Sequence, residues 1–221
     1  MSANISPVRI IQDFSREDLP GHLTSRVPSG GVIGIQGGQG SFNEQALHHL
    51  LRYKNLATVS VEYLYTSQNV AKALVSKAID FGQCAISNSL GGEVQETMEI
   101  LAQYPVEIVC AFEIQIAHAM MIRPDQDFSR ITTLMCHPQV FAQCKRKLAE
   151  KYPGFEQVSG DGDLLDSARV AQALSERQLP DTVAVMGSRI FAEHYNLRVV
   201  EDNLQDLPDN YTRFILLKTH Q

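Results

Sequence analysis

The sequence predicts an α/β protein of two lobes around a cleft, with the second lobe inserted into the first. Three observations predict it. From Gly31 onward, short apolar runs alternate with amphipathic stretches, the pattern of strands and helices packed in layers. The stretch from Val106 to Arg123 is long, rich in Ile, Val, Phe and Met, and has no helix signal before Pro124, so it reads as an extended crossing between lobes. The last apolar strand, 212–218, follows a second set of strand–helix units and reads as a return to the first lobe. Residues 1–30 are then an N-terminal extension, 31–112 and 190–221 the first lobe, and 113–189 the second.

The elements follow in order. VIGIQ (32–36) reads as a strand, and 42–53 as a helix with Phe42, Ala46, Leu47, Leu50 and Leu51 on one face. A strand is expected at 58–63, then a helix capped by Ser67 and running through Ala78 with Val70, Ala71 and Leu74 inward. Residues 84–87 make a strand, and a helix runs from Glu93 to Gln103. Beyond the crossing come strand 131–135, helix 139–151, strand 155–158, helix 164–177 and strand 182–186. A helix at 188–195 and strands at 198–200 and 212–218 close the chain.

Bulk composition excludes several classes. Over 221 residues, 44% are hydrophobic and 20% charged, which is globular rather than disordered. A net charge of −6 gives no bulk attraction to nucleic acid or an anionic membrane, so any anionic substrate needs a locally positive site. No apolar run approaches the roughly 20 residues of a membrane helix, and residues 1–30 lack the apolar core of a signal peptide. Cys84, Cys110, Cys136 and Cys144 lack paired spacing and read as reduced, inert thiols of a cytoplasmic protein. The histidines show no metal-ligand spacing, so no metal is expected. The expected partner is a small molecule, and a homo-oligomer is compatible with the composition.

Open α/β sheets bind ligands where strands enter helix N-termini. Three such junctions are unusually polar, and a fourth polar cluster leads into the last strand. In GGQGSF (37–42) the glycines would let backbone N–H groups approach an anion at a helix N-terminus, or serve only a tight turn. In SNSLGGE (87–93), Asn88 and Ser89 follow a strand directly and could line a site or cap the next helix. In CHPQVFAQC (136–144), Pro138 suits a first helical turn and Gln139 and Gln143 share a face, although a surface glutamine is the default. In DNYTRF (209–214), Thr212 and Arg213 begin a strand; each alone would be an ordinary solvated residue. Four clusters on one edge favour a common polar pocket.

Together these segments resemble the prephenate dehydratases and related arogenate dehydratases. DNYTRF resembles their N-x-TRF signature, SNSLGGE their ENS-x-GG, CHPQVFAQC their SHPQALAQC and GGQGSFNEQA their GPxGTFSxxA; LLDSARVAQAL and 181–210 match in order and spacing. The resemblance runs from about Gly31 to Leu217, with Ser87, Cys136 and Asn43 departing from the family's Glu, Ser and Ser. It implies two lobes like a type II periplasmic binding protein, prephenate or arogenate as substrate, and no cofactor. It makes Thr212 catalytic and Ser41, Asn88, Ser89, Gln143 and Arg213 substrate-binding, with Arg213 worth about 1.5–3 kcal/mol to a substrate carboxylate. Neither an ACT domain nor a chorismate mutase domain is expected, nor a phenylalanine regulatory site. A non-aromatising prephenate decarboxylase is the near alternative, which Thr212 opposes and Ser87 keeps open; an organic-acid binding protein is the distant one.

Overall fold

The computed structural model describes residues 9–13, 31–54, 59–161, 164 and 166–220. The rest of the expected extension at 1–30 lies outside the described residues. The chain divides into two compact units, one reaching to Ile116 and resuming at Asp209, the other Ala117–Pro208. The exchange points therefore fall later than the expected 112/113 and 189/190. The reason is pairing: the extended segment keeps its ladder in the first sheet as far as Gln115, and the strand near 200 joins the second sheet.

The first unit is a seven-stranded sheet in the order β1-β6-β12-β4-β2-β3, with β5 also on β4. Its strands are β1 (Arg9–Asp13), β2 (Val32–Ile35), β3 (Ser60–Tyr63), β4 (Phe81–Asn88), β5 (Gly92–Glu93), β6 (Val106–Gln115) and β12 (Tyr211–Thr219). β3, β2 and β4 run parallel, while β12, β6 and β1 add antiparallel. Helix α1 (Phe42–Lys54) covers one face through Ala46, Leu47 and Leu50, packed with Ile33, Ile35, Phe112, Phe214 and Leu216. Helices α2 (Ser67–Val75) and α3 (Gln95–Gln103) cover the other, where Val70, Leu74 and Ile100 meet Ala111, Ile215 and Leu217. Residues of β12 thus alternate, Phe214 and Leu216 toward α1, Ile215 and Leu217 toward α2 and α3.

Two boundaries of α2 differ from expectation. Thr66, not Ser67, is the N-cap, accepting Asn69 N–H at 3.1 Å. Ser67 is the first helical residue and is fully buried, its hydroxyl 2.8 Å from Thr97 Oγ1. The helix stops at Val75, three residues early, because Lys77 adopts φ 58 and the N–H groups of Lys77 and Ala78 donate back to Leu74 and Ala73. That is a Schellman turn with lysine where glycine is usual.

The second unit is a five-stranded sheet ordered β11-β7-β10-β8-β9. Its strands are β7 (Ala119–Ile122), β8 (Thr133–Met135), β9 (Glu156–Val158), β10 (Val183–Gly187) and β11 (Arg198–Glu201). β8 lies parallel to β9 and β10, while β7 is antiparallel to β10 and β11. Helix α4 (Pro138–Lys151) buries Cys144 and Leu148 against Met120, Leu134 and Met186. Helices α5 (Ser167–Ser175) and α6 (Ile190–His194) pack Val170, Leu174 and Phe191 on the other face. No helix among the described residues is long and apolar enough to cross a membrane.

Candidate active site

In the first unit the carboxyl ends of β2, β3 and β4 share one edge, and the antiparallel β12 begins there, with Thr212 opposite Asn88. Asn88 is the centre of this edge. Its Oδ1 accepts the backbone N–H groups of Leu90 and Gly91, each at 2.9 Å. Backbone N–H groups only donate, so the oxygen must face them and the amide nitrogen must face the other way. That Nδ2 donates to Asn210 Oδ1 at 2.8 Å, to the Tyr211 carbonyl at 3.1 Å and to Thr212 Oγ1 at 2.9 Å. Since Nδ2 has no lone pair to offer, Thr212 Oγ1 is the acceptor, and its proton is directed elsewhere.

Ser89 does not cap a helix. Its hydroxyl donates to the Asp209 carbonyl and accepts Tyr211 N–H, both at 2.9 Å, fastening the end of β4 to the start of β12. The capping reading is corrected: α3 begins after Val94, without a side-chain cap.

The Gly37–Ser41 loop is held from within. Gly37 (φ 91) and Gly40 (φ 82) take left-handed backbone, and Ser41 Oγ accepts Glu44 N–H at 3.3 Å as the cap of α1. Glu44, 1% exposed, accepts Gly40 N–H at 2.6 Å and the Tyr63 hydroxyl. The Glu44 carboxylate therefore already takes the Gly40 N–H, while those of Gly37 and Ser41 donate to the carbonyls of Tyr65 and Gly38. Glu44 was legible in principle, because Ser41 and Glu44 form the S-x-x-E spacing of a capping box.

Arg213 and Thr212 are not brought together. Consecutive strand residues face opposite sides, and Arg213 lies on the α2–α3 face with Nη2 3.8 Å from Glu113 Oε2. Glu113 also receives Arg9 of β1 at 3.4 Å. Among the described residues, the carboxylate beside Arg213 is that of Glu113.

In the second unit, His137 caps α4 by accepting Gln139 N–H on Nδ1 at 3.1 Å, and Pro138 is the first helical residue. Gln143 Oε1 lies 2.6 Å from Nε2 of His118, and its carbonyl accepts Asp206 N–H at 2.7 Å. His118 is 2% exposed, and burial lowers its pKa despite the opposing bond to Gln143. Gln139 is exposed and takes no part in this pair.

The three departures from the family pattern are placed without disruption. Cys136 follows β8 and is fully buried, Ser87 stands opposite Arg213 in register, and the Asn43 carbonyl accepts Gln83 Nε2 at 2.6 Å. Burial pushes the thiols of Cys84 and Cys144 up to about 12 and that of Cys136 higher still, so none of these is poised as a nucleophile. Among the described residues, no three His, Cys, Asp or Glu side chains form a group that could hold a metal ion.

A sequence model described as prephenate dehydratase matches residues 33–221. The chain is 28% identical to the prephenate dehydratase of Methanocaldococcus jannaschii, over 81% of this chain and 61% of that one. It is 30% identical to arogenate dehydratase 2 of Petunia hybrida, over 84% of this chain and 44% of that one. The chain thus spans less than two thirds of the length of these relatives. Its structure matches the prephenate dehydratase of Arthrobacter aurescens, in complex with L-Phe, at a TM-score of 0.72 and 24% identity, over 86% of this chain and 61% of that one. The prephenate dehydratase of Staphylococcus aureus matches at 0.67 and 19%, over 86% and 66%.

Proposed function

The chain belongs to the prephenate dehydratase family, and on that premise we propose that it converts prephenate to phenylpyruvate, a step in phenylalanine formation. Prephenate carries a ring carboxylate and, across the ring, a hydroxyl. The bond to the carboxylate breaks, its electron pair enters the ring, and the hydroxyl leaves. One proton accompanies it, so the products are carbon dioxide, water and phenylpyruvate. Aromatisation supplies the driving force, and the chemistry involves no change that requires a redox cofactor.

The observation that carries this reading is the bond from Asn88 Nδ2 to Thr212 Oγ1. It leaves the threonine O–H available to donate to a departing hydroxyl, and the fivefold bonding of Asn88 holds that direction before substrate arrives. In this proposal Thr212 is catalytic, and Asn88 and Ser89 position it. Ser41, whose oxygen accepts from Glu44 N–H, keeps a hydroxyl proton for a substrate carboxylate. We assign Arg213 to Glu113 rather than to substrate. Four buried free thiols suit a cytoplasmic setting.

The arogenate dehydratases among the relatives favour a second reading, in which the substrate carries an amino group in place of the keto group. One experiment separates the readings: purified protein is given prephenate or arogenate and the product is identified. Phenylpyruvate from prephenate supports the proposal, and phenylalanine from arogenate the second reading. A product that keeps its ring hydroxyl would make the protein a decarboxylase.

A further inference from the structure

Tyr65 combines high exposure of an aromatic ring with a strained backbone. It is 67% exposed, the most exposed large apolar side chain among the described residues. It also sits at φ 65, a left-handed backbone that bulky residues rarely adopt and that costs free energy. The strain is held by the Gly37 N–H, which donates to the Tyr65 carbonyl at 3.1 Å. The ring lies against Gly38, where an added Cβ would stand 3.2 Å from Tyr65 Cε1, so a bare backbone at 38 makes room for it. Tyr65 lies two residues beyond the end of β3, on the edge that carries the Ser41 loop, Asn88 and Thr212.

We propose that Tyr65 is a substrate-contacting residue whose ring, seated on the glycine loop, forms an apolar wall for the substrate's six-membered ring. The assignment rests on the dehydratase reading. As water and carbon dioxide leave, the puckered diene becomes a flat phenyl group, which offers an aromatic face for offset stacking. The contact therefore strengthens toward the transition state, and its loss lowers kcat more than it raises KM.

The test uses Tyr65→Gly, Tyr65→Phe and Gly38→Ala in the full chain, with turnover and thermal melting measured together. Glycine accepts φ 65 freely, so Tyr65→Gly is expected to melt no lower than wild type while kcat/KM falls about tenfold. Tyr65→Phe keeps the face and stays within about twofold of wild type. Gly38→Ala pushes the ring away and reproduces the loss, and adding it to Tyr65→Gly causes no further loss. Should the glycine variant fail to fold, Tyr65→Asn replaces it, since asparagine also tolerates this backbone. Wild-type kcat/KM in the folded Gly or Asn variant, or an activity loss that only tracks a lowered melting temperature, overturns the assignment while leaving the dehydratase reading intact. A wild-type protein that turns over neither prephenate nor arogenate fails the dehydratase reading, and the assignment falls with it.

Discussion

At the residue scale, the proposed mechanism turns on the Asn88 amide rather than on an acid. Threonine is a poor proton donor in water, so its use depends on a preorganised direction rather than a matched pKa. Thr212→Ala should lower phenylpyruvate formation by roughly 10²–10⁴-fold, the scale of general acid catalysis, with little loss of stability. Thr212→Ser keeps the hydroxyl and should retain far more activity; single-turnover product analysis of both folded variants measures this. Equal rates for wild type and the alanine variant would remove Thr212 from the mechanism. Arg213→Ala should leave kcat/KM within about threefold, because the guanidinium is a half-exposed partner of Glu113 on the other face of the sheet. A rise in KM of tenfold or more would return it to the substrate. The sequence placed Thr212 and Arg213 side by side but could not say which faces the site, because side-chain direction depends on where the strand's pleat starts.

His118 offers a pH test at the same scale. Burial lowers its pKa in the folded state below the unfolded value of about 6.5. The unfolded chain therefore binds the proton more readily, and the stability from keeping His118 neutral is present above that value. It is lost as pH falls from there toward the folded pKa. Melting temperatures of wild type and His118→Gln measured from pH 7.5 to 5 should diverge in slope, the variant falling less. Parallel curves would mean the histidine is not protonated preferentially on unfolding.

At the element scale, apolar spacing located helices and strands well, while helix ends were read too far. α2 was expected through Ala78 and α5 through Arg177, and each stops at a non-glycine residue in left-handed backbone or just before it: Lys77 (φ 58) and Arg177 (φ 60). The usual stop signal is glycine, and both turns form without it. Lys77→Gly should therefore remove a steric cost of about 1–2 kcal/mol and raise the melting temperature by about 2–8 °C. Lys77 makes no ion pair among the described residues, so the change is clean. An unchanged or lower melting temperature would show that the turn carries no such strain. Strand β1 was missed for a different reason: RIIQD is too short to show a period, and only its pairing with β6 defines it.

At the scale of the whole molecule, the sequence conveyed the inserted order of the chain but not where the insertion begins and ends. Composition does not change at Ile116 or Pro208; the boundaries are set by which sheet each strand joins. Each unit has apolar clusters on both faces of its own sheet. Within the first unit the two cut ends already meet, since Ile116 N–H donates to the Asn210 carbonyl at 2.7 Å. Joining 116 to 209 with two or three glycines would therefore close a gap that needs no stretching and costs little loop entropy. The second unit is one continuous segment whose own ends are tied, Leu204 N–H donating to the His118 carbonyl at 2.9 Å. Both pieces, the first unit with its glycine bridge and the fragment 117–208, should melt cooperatively when made separately. Circular dichroism and calorimetry on each provide the measurement. A non-cooperative melt of 117–208 would mean that its core is not self-sufficient. A non-cooperative melt of the bridged unit would mean that β12 needs the inserted segment to find its place between β4 and β6.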